Sequence, residues 1–355
     1  MQTVHDTNYT PEALVDAGWP YRWQATDTQQ WDVLPVEVDD GDTQLARNVF
    51  TVKSSSADEP AWLRYHHYIP LPGDWDIIEE GGQPPEPPQR LITDFYGYNA
   101  FVNAFEYQNW HPEVYESPEA LGLHWVGDLA VECDVDITGD TGELLLDLVE
   151  GGRHYRCTID VGQGTATLSI VEADGSAGKF SDDNGENETA TVTGKAEVGT
   201  GEHRLRLANV DNQITLWIDD AVVKFDGPTT FAADAFQVPT WSSEDAGDLA
   251  PAGIGSAGAQ FSVNRMQIFR DVYYVAAKTP YETSPHQLMD YEGNQLAARG
   301  GSTFNIRAAL DSPKAWRESQ PAAFYALFDS RRTVEFDLGE DLFFTLGDNS
   351  PQSKD

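Results

Sequence analysis

Basic residues are scarce in this sequence of 355 amino acids. Lys and Arg number 22 against 59 Asp and Glu, a formal net charge of −37. A surface of that sign repels phosphate backbones and anionic lipid headgroups, which excludes nucleic-acid binding and electrostatic anchoring to acidic membranes. Cysteine is rarer still, at two residues, Cys133 and Cys157. Two cysteines make no disulfide framework, and no CxxC or Cys/His spacing suits a metal. Both fall on the apolar parity of expected strands. They read as small buried thiols, with a single bridge between adjacent strands as the alternative. Also missing is any run of about 18 apolar residues, the length that spans a bilayer. The opening, MQTVHDTNYTPEALVDAGWPYRW, has neither a basic start nor an apolar run and does not read as a signal peptide.

What is present is enough to build a core. Apolar residues make up 40% of the chain and aromatics 11%. The length suggests two domains, or one large domain with an insertion. Near the start, Thr10, Pro11 and Gly18 suit the cap, first position and stop of a short helix. Strand-like pieces such as ARNVFTVKS and AWLRYHHYI follow, then a proline-rich connector, GGQPPEPPQ, at 81–89. From Leu123 onward the period is two. In LAVECDVDI, Leu129, Val131, Cys133, Val135 and Ile137 share one face, and Ala130, Glu132, Asp134 and Asp136 the other. That alternation predicts a half-buried antiparallel strand. ELLLDLVE, HYRCTIDV, TATLSIVEA, HRLRLANV and QITLWIDDAVVKF continue the pattern, the last as a hairpin turning at Asp219–Asp220. The stretch 240–259, rich in Ser, Gly, Ala and Pro, reads as a long loop, and FSVNRMQIFRDVYYV as a last strand. Closely spaced strands with Gly/Asp turns predict a mainly β protein, a sandwich or barrel.

The hairpin phrase LWIDDAVVKF, after its string of alternating strands, resembles the laminin-G or concanavalin-like jelly roll. The terminus FFTLGDNSPQSKD resembles the C-terminal conserved box of bacterial type I signal peptidases, with Gly347, Asp348, Asn349, Ser353 and Asp355 in matching positions. VHDTNY, LITDFYGYN and FRDVYY look like an enlarged form of that family, in which a jelly-roll insert interrupts a β-rich peptidase domain. The expected organisation is therefore a flanking segment at 1–104, the jelly-roll sandwich at 105–275, and a C-terminal peptidase segment at 276–355.

The resemblance implies a Ser–Lys serine endopeptidase that removes signal peptides from preproteins at the outer face of the cytoplasmic membrane. In it Ser353 would orient the lysine, Asp355 would make a supporting ion pair, Gly347 would supply a tight turn, and Asp348 and Asn349 would shape the loop beside the site. The family's Ser-Met-x-Pro nucleophile box, its lysine box and its membrane anchor are not in this sequence. One S-x-x-K match, Ser176 to Lys179, falls in a polar loop. The chain accordingly reads as an inactive C-terminal part that carries supporting residues and an accessory module for a glycan or an envelope protein.

Other chemistry-bearing residues give rival readings. Glu132, Asp134 and Asp136 stand at i, i+2 and i+4, about 6.6 Å apart per step, near the spacing of paired glycosidase carboxylates. An exposed acidic face is the simpler reading in a chain with 59 acids. Asp39, Asp40 and Asp42, or Asp182, Asp183 and Asn184, offer loop oxygens for calcium without the spaced pattern of a calcium loop. No cofactor is therefore expected, with calcium as the alternative. Within the cluster Arg64, Tyr65, His66, His67 and Tyr68, adjacent histidines on a strand face opposite ways and do not share a metal. The ten tryptophans, Trp217 among them, read as core, with stacking on sugars as the alternative. The two remaining functional alternatives are a secreted or envelope lectin-like binding module and an acidic jelly-roll glycosidase centred on Glu132.

Overall fold

In the computed structural model the described residues are 1–4, 10–39, 44–93, 125–182, 184–232, 238–271, Gly339 and Phe343. The expected boundaries at 104/105 and 275/276 lie outside them. Contacts divide the chain into two compact units, one of Met1–Tyr68, Ile77–Gln89 and Gly127–Asp271, the other of Ile69–Asp76, Arg90–Val126 and Val272–Asp355. In the second unit the described residues include a bridge between Thr93 and Trp125, and Val126 N–H donates to the Ile92 carbonyl at 3.0 Å.

The first unit holds the strands. In chain order these are β1 (Gln2–Thr3), β2 (Thr10–Pro11), β3 (Trp23–Ala25), β4 (Trp31–Asp39), β5 (Gln44–Val52), β6 (Ala61–Tyr65), β7 (Leu129–Ile137), β8 (Glu143–Glu150), β9 (Arg153–Asp160), β10 (Thr165–Val171), β11 (Thr191–Lys195), β12 (Gly201–Val210), β13 (Gln213–Ile218), β14 (Ala221–Val222), β15 (Ala252–Ala257) and β16 (Phe261–Arg270). The helices are short: α1 at Glu12–Asp16 and α2 at Pro72–Glu79. No helix among the described residues is long and apolar enough to cross a membrane.

The strands form two antiparallel sheets. Sheet A runs β14-β13-β12-β7-β16-β5-β2, with β1 on β16 and β4 on β5. Sheet B runs β11-β10-β9-β8-β15-β6-β3. The fold is thus mainly β, a jelly-roll-type sandwich. Strands from residues 2–65, expected to flank the sandwich, pair into both of its sheets: β5 on β16 and β6 on β15.

Alternation explains the register. Across sheet B, Leu63, Ile254, Leu146, Cys157, Leu168 and Val192 line up in one row, and all are buried. Across sheet A, Ile218, Leu205, Cys133 and Met266 form a matching buried row. A side chain so buried contributes about 1.5–3 kcal/mol, and a one-residue slip would turn every member of its strand outward. Strand β16 changes parity partway, from Phe261 and Val263 to Met266, Ile268 and Arg270. A bulge between Val263 and Arg265 supplies the extra residue, Asn264, that makes this shift. Cys133 and Cys157 lie in different sheets and are both free, which answers the question of a bridge. Burial pushes both thiols well above the usual range.

One region departs from the sequence pattern. The segment expected to be a long loop at 240–259 contains β15, a fully buried strand of sequence AGIGSA. It forms because β6 and β8 pair with it on both sides; its own composition disfavours a strand. The hairpin at Asp219–Asp220 turns as expected, both residues at positive φ, 50° and 64°.

The β7–β8 connection needs a glycine at 142. Its φ is +89°, and a Cβ there would stand 2.2 Å from the Ala259 nitrogen. Replacement of Gly142 by Ala is expected to cost about 2–4 kcal/mol, strain and backbone clash together, measured by urea denaturation.

Candidate functional site

The outward rows of sheet B carry a connected set of polar and aromatic side chains. Register puts Gln24, Arg64, Gly253, Asp147, Arg156 and Ser169 side by side. The next row holds Trp62, Gly255, Leu145, Thr158 and Thr167. The two glycines of β15 leave a strip without side chains. A Cβ at Gly253 would meet the Arg64 guanidinium at 2.7 Å, and one at Gly255 the Trp62 ring at 2.7 Å. Trp62 and Arg64 therefore lie flat across β15 toward β8. Trp62 stays half-buried, with the guanidinium carbons of Arg64 and Arg156 at 4.6 and 5.2 Å from its ring centroid.

Asp147 is the hub. It is wholly buried (0% exposed), a position a carboxylate holds only when answered by donors. Arg64 Nη1 stands 2.6 Å from Oδ2, His154 Nδ1 2.8 Å from Oδ2, and Arg156 Nε 3.4 Å from Oδ1. Burial alone would push the Asp147 carboxyl up. Arg64, then His154 and Arg156, reverse this and hold it well below the usual carboxylate range. His154 also contacts Asp245 through Nε2, at 2.9 Å. Burial pulls the imidazole down, but its bonds to Asp147 and Asp245 prevail and raise it to about 9.

Asp245 comes from a loop that Asp248 anchors. Asp248 is 1% exposed and accepts the backbone N–H of Thr240 (2.7 Å), Gly151 (3.0 Å) and Gly152 (3.1 Å). These bonds tie the loop to the β8–β9 turn. Burial still pushes the Asp248 carboxyl up, to about 6. Just past the end of β6, which carries Trp62 and Arg64, His66 stacks on Tyr68 at 6.0 Å and 28°. Burial and then Arg64 lower it to about 4, so it is neutral at physiological pH.

The outer face of sheet A holds the acidic strand. Glu132 is buried and closed off: Oε1 accepts Arg265 Nη1 at 2.9 Å, and Oε2 accepts Arg206 Nε at 2.7 Å and Arg206 Nη2. Asp134 pairs with Arg204 Nε at 2.8 Å, while Asp136 is exposed. Each arginine closes on a carboxylate, so this face presents a ladder of ion pairs. Trp217 is half-buried on that outer face, with Arg206 at 5.9 Å from its ring, and is not part of the core. His66 and His67 do face opposite ways; His67 is buried and bonded to the Tyr65 hydroxyl at 2.8 Å.

Of the expected calcium loops, Asp182 spends its carboxylate on its own turn, accepting the N–H of Asn184 and Glu186 and the Asn187 amide. Asp39 ends β4, and Asp40, Asp42 and Asp183 lie outside the described residues. A different group comes together at the strand ends: carboxylate oxygens of Asp128, Asp211 and Asp271 lie within 4.8 Å of one another. In a chain with 59 acids such proximity arises by itself. Burial, then Glu150 and the other two carboxylates, raise Asp128 to about 7.

The terminal box, Gly347, Asp348, Asn349, Ser353 and Asp355, lies outside the described residues. The described lysines offer no desolvated amine. Lys53, Lys179 and Lys195 are more than half exposed and paired with Asp32, Glu188 and Glu197, and Lys224 is exposed. The S-x-x-K match fails in the same way, because Ser176 Oγ donates to Asp174 at 2.6 Å and Lys179 pairs with Glu188.

Two titrations can be read directly. His154 is raised above its ordinary 6.5, so the stability its ion pairs contribute is complete below about pH 6.5 and is lost as pH rises through about 9. Thermal melts between pH 6 and 10 are expected to show that fall, and His154→Gln to lack it. Asp128 is also raised, and its slope runs the same way in a lower pH window. The folded chain holds its proton, so stability falls as pH rises from the ordinary carboxylate range through about 7. Asp128→Asn is expected to raise the melting temperature at pH 8 and to flatten this slope, a gain on the order of 1 kcal/mol or more.

No protein-family model matches the chain, and no curated protein sequence matches it. Solved structures of similar fold include a protein of unknown function with a galectin-like fold from Bacillus subtilis, 7% identical with a TM-score of 0.36. It covers 77% of this chain and 97% of its own. Sheep galectin-11 in complex with glycerol is 11% identical with a TM-score of 0.27, covering 40% and 90%. The carbohydrate binding module CBM66 from Bacillus subtilis is 8% identical with a TM-score of 0.25, covering 69% and 94%. The resemblance to signal peptidases is thereby corrected. No family model matches, the solved structures named above are a galectin, a galectin-like fold and a carbohydrate binding module, and the described lysines are exposed, with Lys53, Lys179 and Lys195 in ion pairs, so the Ser–Lys activity and preprotein substrates lose their support. Among the described residues the organised polar chemistry lies on the outer faces of the two antiparallel sheets.

Proposed function

We propose that this chain is a carbohydrate-binding module and that the sugar lies on the outer face of sheet B. One observation carries the reading: a half-buried indole, Trp62, laid flat on a glycine strip and framed by arginines that a buried carboxylate holds in place. A sugar ring is apolar on its C–H face and polar at its rim. An indole takes the first, and fixed N–H donors take the hydroxyls of the second. Sites of this kind depend on rigid donors, and the Asp147 hub supplies that rigidity without a metal. The Asp245 loop stands at one side of the site, pinned by Asp248.

Sheet A also has a tryptophan beside an arginine, but its carboxylates close on its arginines and its strands have no glycine strip under the ring. The glycosidase reading centred on Glu132 finds no support there, because both oxygens of that carboxylate are taken by arginine.

The test is a glycan array probed with the full chain, followed by calorimetry on the best binder. Trp62→Ala is expected to weaken binding by about thirty-fold or more, the roughly 2 kcal/mol of an aromatic anchor. Trp217→Ala is expected to leave it within a factor of two. Loss through Trp217 and not Trp62 would move the site to sheet A, and an array without binders would remove the reading.

A further inference from the structure

This inference rests on the reading that the outer face of sheet B holds a sugar, and concerns which sugar. We propose that the ligand is an acidic sugar whose carboxylate is gripped by Arg156. The first observation is the charge state of His154. Its Nδ1 is 2.8 Å from Asp147 and its Nε2 2.9 Å from Asp245. Ionised carboxylates only accept, so both ring nitrogens must donate and the ring is an imidazolium. Arg64, His154 and Arg156 then set three positive charges against the two negative charges of Asp147 and Asp245.

The second observation is where the surplus sits. Arg64 is committed to Asp147 at 2.6 Å and lies over Gly253. Arg156 reaches Asp147 only through Nε, at 3.4 Å, the longest contact of the network. Its side chain is 32% exposed, and its two terminal nitrogens extend beyond that contact beside Trp62. A planar guanidinium with its terminal N–H groups unspent pairs a carboxylate with two parallel hydrogen bonds. A uronate ring stacked on Trp62 brings its carboxylate to that edge.

The third observation is contrast. On sheet A, Arg206 and Arg265 close on Glu132 and Arg204 on Asp134, while Asp136 has Glu202 and Ser262 as its cross-strand neighbours, so that row of charges holds no positive surplus. The chain's net charge of −37 does not forbid an anionic ligand. At physiological ionic strength charges are screened over about 8 Å, so remote acids act weakly while Arg156 acts at contact.

The experiment is calorimetry of the full chain with trimers of galacturonate, glucuronate and mannuronate, each against its methyl ester, and with a sulfated galactose trimer and a glutamate hexapeptide. At least one uronate is expected to bind about ten-fold or more tightly than its ester, the contribution of a charge-assisted pair. Arg156→Gln is expected to bring that ratio close to one. Arg156→Lys, which keeps the charge and loses the fork, is expected to restore it only in part. Melting curves of both variants check that they fold. Equal affinity for acid and ester would overturn the acidic-sugar assignment and leave the sugar reading standing. A ratio that survives Arg156→Gln would overturn the role of Arg156. Tighter binding of the sulfated trimer would overturn the carboxylate, and of the peptide, the sugar. Binding of none of the probes, esters included, would overturn both readings.

Discussion

A fully enclosed carboxylate on the outward side of a sheet is the constraint around which sheet B is organised. Asp147 cannot be left to water, so cations must reach it from several strands. They come from β6, in Arg64, and from β9, in His154 and Arg156. Arg64 can arrive only if the strand between carries no side chain in its path, which is what Gly253 provides. Trp62 needs the same of Gly255. The hub thus dictates the composition of β15, and β15 in turn joins β6 and β3 to the sheet.

The same hub reaches into the loop after residue 238. His154 bridges Asp147 to Asp245, and Asp248 binds the β8–β9 turn from below. Two buried acids, one answered by cations and one by backbone N–H groups, hold a loop and a sheet face in one fixed relation. Surfaces that recognise small polar ligands need this kind of stiffness more than they need depth.

Much of the sandwich was legible in the sequence, and the reason is local. Strands β9, β10, β11 and β13 alternate cleanly because one side of each faces the core, and the turns between β8, β9 and β10 carry Gly and that between β12 and β13 Asp and Asn at positive φ. What could not be read depended on partners far along the chain. AGIGSA has no strand propensity and becomes one only between β6 and β8. The strands of residues 2–65 looked like flanking matter because their partners in β15 and β16 lie some two hundred residues away. The acids were legible and their meaning was not. Glu132, Asp134 and Asp136 form a visible stripe in the sequence, but only the register reveals Arg206 across from Glu132 and Arg204 and Arg265 across from Asp134. Asp147 drew no attention, sitting in an apolar run, ELLLDLVE, where a lone acid among leucines was the available signal. The last thirteen residues resemble a peptidase box, but a similarity of that length carries no information about the two sheets that make up the described fold.

The pairing of β5 with β16 and of β6 with β15 has a consequence for how the chain comes into being. The β8–β11 meander closes on itself as soon as it is made, since each strand pairs with its neighbour in sequence. The first strands must wait until residue 270 has left the ribosome before both sheets are complete. Long-range antiparallel closure of that kind is entropically slow and leaves unpaired edges exposed meanwhile. Nascent chains of this protein therefore spend the interval as an open half-sandwich, and a net charge of −37, far more acid than the ion pairs of the fold take up, is suited to keeping those half-built copies apart.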